Sequence, residues 1–233
     1  MHKIKIPQAA IDRVLLRRDS LHVFNDIDPA RTAHIVVDLQ NGFMAPGQPA
    51  EIPAARDIVK NVNRVSKALR AAGGLVVYIQ NTIDANAKAT WNNWFGAMSG
   101  QRRAQRMDEA FAEGSFGHSL WPELDVQSSD LRVKKTRYGA FVQGSSNLHE
   151  ILQARNIDTL IITGTATNVC CESTARDAMM MNYKVIVVSD GTATFNDEEH
   201  NASLGIMLAQ FADVMSADEV VDRLSRDLRR AAE

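Results

Sequence analysis

Thr159-Leu160-Ile161-Ile162-Thr163 is followed by the turn Gly164-Thr165-Ala166-Thr167-Asn168-Val169, a helical run from Cys170 to Asn182, and Val185-Ile186-Val187-Val188. Two short β-branched runs flank one longer helical stretch. That order implies a right-handed crossover between parallel strands, with the helix lying on one face of the sheet.

The same alternation extends outward. Upstream, Ala33-His34-Ile35-Val36-Val37-Asp38 reads as the first strand and gives way to a Gly/Pro-rich loop from Gly42 to Pro53. A helix from Ala54 to Ala72 follows, with Ile58, Val62, Val65 and Leu69 at three- and four-residue steps. Gly73-Gly74 stops it, and Leu75-Val76-Val77-Tyr78-Ile79 is the second strand. The stretch from Asn81 to Gly117 is the least regular, rich in Trp, Asn, Arg and Gly, and reads as an excursion that covers something. Asp130-Leu131-Arg132-Val133 leads into a third strand ending near Lys135, with a helix from Leu148 to Arg155. Downstream come a helix from Asp197 to Ala212, a short strand at Val214-Met215, and Ser216-Ala217-Asp218-Glu219. That last tetrapeptide has capping-box spacing and opens a final helix through about Arg229.

The expected fold is therefore α/β, an open, mostly parallel β-sheet with helices on both faces, a Rossmann-type three-layer sandwich. Nothing repeats and no linker is visible. Residues 1–30 read as an N-terminal helical extension, with a helix from about Gln8 to Arg18, and residues 31–233 as one domain.

A chain of 233 residues can bury a core of its own as one large domain. Lys+Arg total 26 against 28 Asp+Glu, so no charged face is advertised for nucleic acid or anionic lipid, and a small-molecule partner is expected. No apolar run approaches the roughly 20 residues that span a bilayer. Met-His-Lys-Ile-Lys-Ile-Pro at the start has basic residues but no apolar run after them, which argues against a secretory signal and for a cytoplasmic location. The two cysteines, Cys170 and Cys171, are adjacent, so a disulfide framework is excluded and reactivity becomes the question.

In open α/β sheets ligands bind outside the carboxyl ends of the strands. Asp38 closes strand one, Lys135 closes strand three, and Cys170 opens the helix after strand four. A cysteine at a helix N-terminus meets the positive end of the macrodipole, and a nearby ammonium pushes the same way, toward thiolate. A carboxylate beside it can take the thiol proton and return it to a leaving nitrogen. Each residue alone also has a bland reading: a common strand end, a solvated edge charge, a small buried hydrophobe. Their convergence at one sheet edge is what favours chemistry.

Three segments carry a family resemblance: Val37-Asp38-Leu39-Gln40-Asn41-Gly42-Phe43, Lys135-Thr136-Arg137-Tyr138-Gly139-Ala140-Phe141, and Gly164-Thr165-Ala166-Thr167-Asn168-Val169-Cys170. Together, over about Thr32 to Leu224, the chain resembles the isochorismatase-like cysteine hydrolases. The resemblance implies Asp38 as base, Lys135 as charged partner and Cys170 as nucleophile. It also implies a non-proline cis peptide at Thr165–Ala166, which aims the backbone N–H groups of Ala166 and Cys170 at a developing oxyanion.

Isochorismatases proper lack the cysteine, so its presence favours amide chemistry. Nicotinamidases carry an Asp-x-His…His metal site after the second strand, whereas here Asn81-Thr82-Ile83-Asp84-Ala85-Asn86 offers no histidine before His118. No metal and no cofactor are expected. Lys-x-Arg-Tyr-x-x-Phe with Ala-Thr-Asn-Val-Cys-x-Glu-Ser-Thr is similar to the ureidoacrylate amidohydrolases and their ureide- and biuret-cleaving relatives. That implies a small carbamoyl, ureido or carboxamide substrate. Alternatives are an amidase of maleamate or N-carbamoylsarcosine type, or a silent scaffold of the same fold. A homodimer or homotetramer is the expected assembly.

Gln40, Phe43, Trp94, Tyr138 and Asn168 are the candidate substrate contacts. Gln40 and Asn168 have an equal alternative, holding their two turns. Trp91, Trp94 and Phe95 either wall the pocket or pack the excursion onto the domain or a neighbouring subunit. Arg102, Arg103 and Arg106 either hold a substrate carboxylate or form a solvated face, and Arg137 is either a substrate anchor or an interface or structural ion pair. Met179-Met180-Met181 reads as helix packing under the sheet or at a dimer seam, and Cys171 as a buried bystander. A papain-like Cys170–His200 pair is the remaining nucleophile arrangement.

Overall fold

The computed structural model describes residues 1–230, so the last three residues of the expected 31–233 domain lie outside the described residues. Its centre is a six-stranded sheet: β1 (Thr32–Val37), β2 (Leu75–Asn81), β3 (Leu131–Lys135), β4 (Thr159–Thr165), β5 (Lys184–Ala193) and β6 (Asp213–Met215). The strand order is β3-β2-β1-β4-β5-β6, and every pairing is parallel. Winding starts at β1, runs outward to β3, then returns across the sheet to β4 and runs the other way. The reversal between β1 and β4 opens a crevice at their carboxyl ends, where a doubly wound sheet binds ligand.

Period-two alternation sorts the strand side chains onto two faces. Ala33, Ile35, Val37, Val77, Ile79, Leu160, Ile162, Val185 and Val187 pack on one side with α6 (Leu148–Gln153), α7 (Glu172–Met180) and α8 (Asp197–Ile206). Ile161, Ile186, Val188 and Met215 face the other way, onto α3 (Val59–Ala71) and α9 (Ala217–Arg230). His34, fully buried in the middle of β1, lies 2.9 Å from Ser66 Oγ on α3 and 2.8 Å from Thr163 Oγ1 on β4.

The extension forms α1 (Gln8–Leu15), whose Ala10 and Val14 are buried. The expected helix from Ala54 instead begins as a 3-10 turn, Pro53–Arg56, whose first position the proline fixes, and α3 starts at Val59 after a two-residue turn at Asp57 and Ile58. A single helical turn, α2 (Asn41–Met44), follows β1. The excursion is also more regular than its composition suggests, with α4 (Ala85–Thr90), a wide turn at Trp94–Met98 and α5 (Gln101–Phe111). Ala104, Met107 and Phe111 bury one stripe of α5, so packing organises a stretch whose sequence is mostly polar. The helix expected from Asp197 to Ala212 continues past α8 as a π-helical turn at Met207–Phe211.

The capping box forms as read: Ser216 N–H donates to Glu219 Oε2 at 2.8 Å and Glu219 N–H donates to Ser216 Oγ at 3.3 Å. Among the described residues, no helix is long and apolar enough to cross a membrane.

Candidate active site

Asp38 follows β1 at a positive φ of 55°, and Gln40 and Asn41 open α2 directly after it. This left-handed backbone turns the chain sharply at the sheet edge while keeping the Asp38 N–H bonded to Ile79 O at 3.1 Å. Gly164, one residue before the end of β4, has φ 118°, and a Cβ there would lie 2.0 Å from Val37 O. Only glycine lets β4 approach β1 so closely just before the turn that carries Cys170. The peptide Thr165–Ala166 is cis.

Lys135 ends β3, two strands from β1, a separation of roughly 10 Å. Its long stem spans that gap past β2, where Asn81 is its register partner. The ammonium lies 2.7 Å from Asp38 Oδ2 and 3.5 Å from Cys170 Sγ, and donates to Arg137 O at 3.0 Å. Asp38 and Lys135 are wholly buried and Cys170 is 4% exposed. Three residues at or beyond the carboxyl ends of three strands therefore meet in one buried cluster.

Burial pushes the Asp38 carboxyl above the ordinary carboxylate range, against the pull of the Lys135 charge. That makes it a stronger base than a solvated aspartate. Burial alone disfavours the Lys135 ammonium, but the Asp38 carboxylate, with hydrogen bonds to Asp38 and to the Cys170 sulfur, outweighs it and holds the ammonium above the ordinary lysine range. Burial drives the Cys170 thiol up to about 12, the Asp38 carboxylate adds to that, and Lys135 opposes it.

The expected bias toward thiolate is thus corrected. Cys170 does not sit at the open end of an α-helix but inside a π-helical turn, Thr167–Cys171, and α7 starts only at Glu172. Loss of water outweighs the dipole and the ammonium, so the resting group is a neutral thiol beside a carboxylate. Cys171 is fully buried, its thiol 3.9 Å from Thr163 O, and its ionisation is suppressed further by burial.

Cys170, Ala166 and Val169 border a cavity of about 100 Å³. Phe43, Trp94 and Tyr138, three of the five candidate substrate contacts, line it. Gln40 and Asn168 do not. The Gln40 amide donates to Asn81 O (3.1 Å) and His118 O (2.9 Å) and accepts from Asn81 N–H (2.7 Å), tying the excursion to the sheet edge. Asn168 donates to Glu199 Oε2 (3.0 Å) and accepts from Thr194 Oγ1 (2.6 Å). Both amides hold turns, the second of the two roles read for them.

The reading from sequence missed Ile52, Asn81, Ile83, Met107, Thr136 and Phe195, which also line the cavity. Asn81 and Thr136 were findable, since each sits at or just past a strand's carboxyl end. Nothing in the sequence brings Ile52 or Phe195 to the others.

Of the arginines, Arg103 lines the cavity, with its guanidinium carbon 5.9 Å above the Trp94 ring. Arg106 donates to Gly47 O at 3.0 Å. Arg102 joins Arg103 and Arg106 around a separate shallow groove. Arg137 stacks on Trp91 at 5.1 Å and donates to Thr136 O and Thr90 Oγ1, a structural role. Met179 packs against the core, but Met180 is 67% exposed, so the triplet is not uniformly buried.

His200 does not pair with Cys170. Its Nδ1 lies 2.9 Å from Thr167 Oγ1 and its Nε2 3.1 Å from Ser189 O, and its ring stacks on His2 at 4.4 Å. His2 in turn contacts Thr194, on the loop leading into α8, and Asp197, the first residue of α8.

The Isochorismatase domain matches residues 32–219, which hold all six strands and the three converging residues. The chain belongs to the isochorismatase family. It is 35% identical over 178 residues to the ureidoacrylate amidohydrolase RutB of Caulobacter vibrioides (strain CB 15), covering 71% of this chain and 78% of that protein. The RutB of Serratia proteamaculans is 32% identical over 198 residues, covering 80% and 78%. Among solved structures, a cysteine hydrolase from Pseudomonas syringae pv. phaseolicola superposes with a TM-score of 0.77 at 30% identity, covering 86% of this chain and 95% of that one. N-carbamoylsarcosine amidase from Thermoplasma acidophilum gives a TM-score of 0.65 at 26% identity, covering 81% and 97%.

Proposed function

We propose that this hydrolase of the isochorismatase family cleaves a small carbamoyl, ureido or carboxamide compound through a covalent cysteine intermediate. Carbon–nitrogen bonds other than peptide bonds are its target, as they are for its amidohydrolase relatives. The observation that carries the reading is the Lys135 ammonium held between the Asp38 carboxylate and the Cys170 sulfur, with Cys170 bordering a cavity.

The neutral thiol passes its proton to Asp38 as sulfur attacks the carbonyl carbon. Lys135 keeps net charge near zero as negative charge moves from Asp38 to sulfur. The oxyanion is received by the backbone N–H groups of Ala166 and Cys170. Asp38 returns the proton to the nitrogen, the C–N bond breaks, and ammonia or an amine leaves. Water, deprotonated by Asp38, then adds to the thioester or thiocarbamate, and the thiol is regenerated with its proton from Asp38.

The test is intact-protein mass spectrometry after rapid quench with an amide or ureide that releases ammonia. An adduct of acyl or carbamoyl mass on Cys170, absent in Cys170→Ala, is the expected result. Undiminished turnover by Cys170→Ala would overturn the mechanism.

A further inference from the structure

A second cavity lies at the other end of the sheet. It measures about 290 Å³ and shares no lining residue with the cavity beside Cys170. Val185, near the start of β5, and Ala212, just before β6, place it at the amino ends of the strands. One wall comes from Arg17, Arg18, Val23 and Phe24, after α1, and the other from the π-helical turn Met207–Phe211.

Asp213 fixes the first wall before any ligand arrives. Fully buried at the start of β6, its carboxylate accepts the Val23 N–H at 2.7 Å and the Phe24 N–H at 3.2 Å, and lies 2.8 Å from His22 Nδ1. That carboxylate is engaged there and does not line the cavity. The arginines have only neutral acceptors among the described residues. Arg17 donates to Ala209 O, to Gln210 Oε1 at 3.5 Å and to Arg13 O at 3.3 Å, and Arg18 donates to Leu208 O at 3.3 Å. Capping the last carbonyls of a helical segment accounts for Arg17. Arg18 is half-buried and uses there only one of a guanidinium's five N–H groups. Its charge borders the same cavity as Phe24, Met179, Val185, Leu208 and Phe211.

We propose that this cavity is a second ligand site, which binds a small organic monoanion consisting of an apolar chain that ends in a carboxylate. The carboxylate supplies the charged acceptor that the guanidiniums lack, in a geometry that suits their planar fork. The chain gains by covering the apolar lining. An inorganic anion leaves that lining wet, and a neutral chain leaves the charge of Arg18 unanswered. An apolar cavity of roughly 150 Å³ holds one benzene, so about 290 Å³ has room for an apolar body roughly twice as large, such as the chain of octanoate. Because the two cavities share no residue, this site stands whether or not Cys170 is the nucleophile.

Calorimetric titration of the full chain with octanoate, kept below its micelle concentration, is the test, with octylammonium as the charge-reversed control. One octanoate per chain, bound saturably, and no binding of octylammonium are expected. Arg18→Gln should weaken octanoate about tenfold or more, the scale of one lost charge-assisted hydrogen bond, while circular dichroism shows the fold retained. Val23 is 43% exposed, so Val23→Asp is tolerated by the fold; it sets a competing carboxylate at the cavity and should abolish binding even if Arg18→Gln does not fold. Arg103→Gln, which alters the cavity beside Cys170, should leave octanoate binding unchanged. Equal binding of octylammonium, or binding unmoved by Arg18→Gln and Val23→Asp, overturns the anion site. Loss in Arg103→Gln alone would put octanoate beside Cys170 and overturn it as well. Absence of saturable binding overturns it outright, and an assembly in sedimentation velocity that Arg18→Glu dissociates would then give the cavity to a second copy of the chain.

Discussion

Lys135 and Asp38 form an ion pair of 2.7 Å in which neither side chain has any exposed surface. Two charges withdrawn from water are tolerable only together, and removing one strands the other. Lys135→Met alone is therefore expected to cost about 3–5 kcal/mol of stability, the cost of an uncompensated buried charge. The double variant Lys135→Met/Asp38→Leu should recover most of that stability while remaining inactive. Urea denaturation of the three proteins checks this. A double variant no more stable than the single one would mean that the pair is not what burial penalises.

The two adjacent cysteines should separate cleanly. Cys170→Ala is expected to abolish turnover and leave the fold intact, since Cys170 borders the cavity. Cys171 lies fully buried against β4, so Cys171→Ala should keep most activity and lose a modest amount of stability. Steady-state rates with thermal melts decide the matter, and reversed phenotypes would move the nucleophile by one residue.

Alkylation of Cys170 should respond in opposite directions to its two charged neighbours. With the thiol pushed up to about 12 by burial, iodoacetamide labelling near neutral pH is expected to be slow relative to an exposed cysteine. Asp38→Asn removes a charge that raises the thiol and should speed labelling even as turnover falls by more than the typical 10²–10⁴-fold of general acid–base catalysis. Lys135→Met removes the charge that lowers it and should slow labelling further. Labelling rates at a fixed pH of about 9, near the ordinary thiol range, test the signs. The same direction in both variants would remove one of them from the site.

Acid should destabilise the fold through buried imidazoles. Burial, then the Arg70 charge, holds His34 down to about 3, and burial, then His2, holds His200 down to about 4. Once unfolded, both protonate below about pH 6.5, so the unfolded chain binds more protons than the folded one in that window. Their contribution is complete above pH 6.5 and is lost as pH falls toward 4 and then 3. Each histidine contributes a slope of up to about 1.4 kcal/mol per pH unit. His34→Gln should flatten the acid limb of a stability-versus-pH series. A slope identical to wild type would mean that His34 titrates in the folded protein.

The strands of the parallel sheet and the three residues at its carboxyl edge were legible because they follow from local signals: β-branched runs, Gly-Gly stops, and charged or nucleophilic residues at strand ends. What escaped notice depends on contacts that local signals do not encode. The excursion's polar composition hides α5, whose buried stripe is only Ala104, Met107 and Phe111. Gln40 and Asn168 carry the right groups beside the right residues, and only their hydrogen bonds reveal that both amides are already engaged. The thiolate expectation failed for a related reason. A helix-start cysteine can be read from sequence, but the water it loses cannot, and Cys170 is governed by that loss.

The stack of His2 on His200 has a practical bearing on how this enzyme is handled. His200 contacts Thr167, the first residue of the turn that carries Cys170, so the amino-terminal residues rest one step from the nucleophile. An affinity tag fused ahead of Met1 therefore adds load to that stack, and kinetic constants measured with such a tag in place are expected to change once it is cleaved.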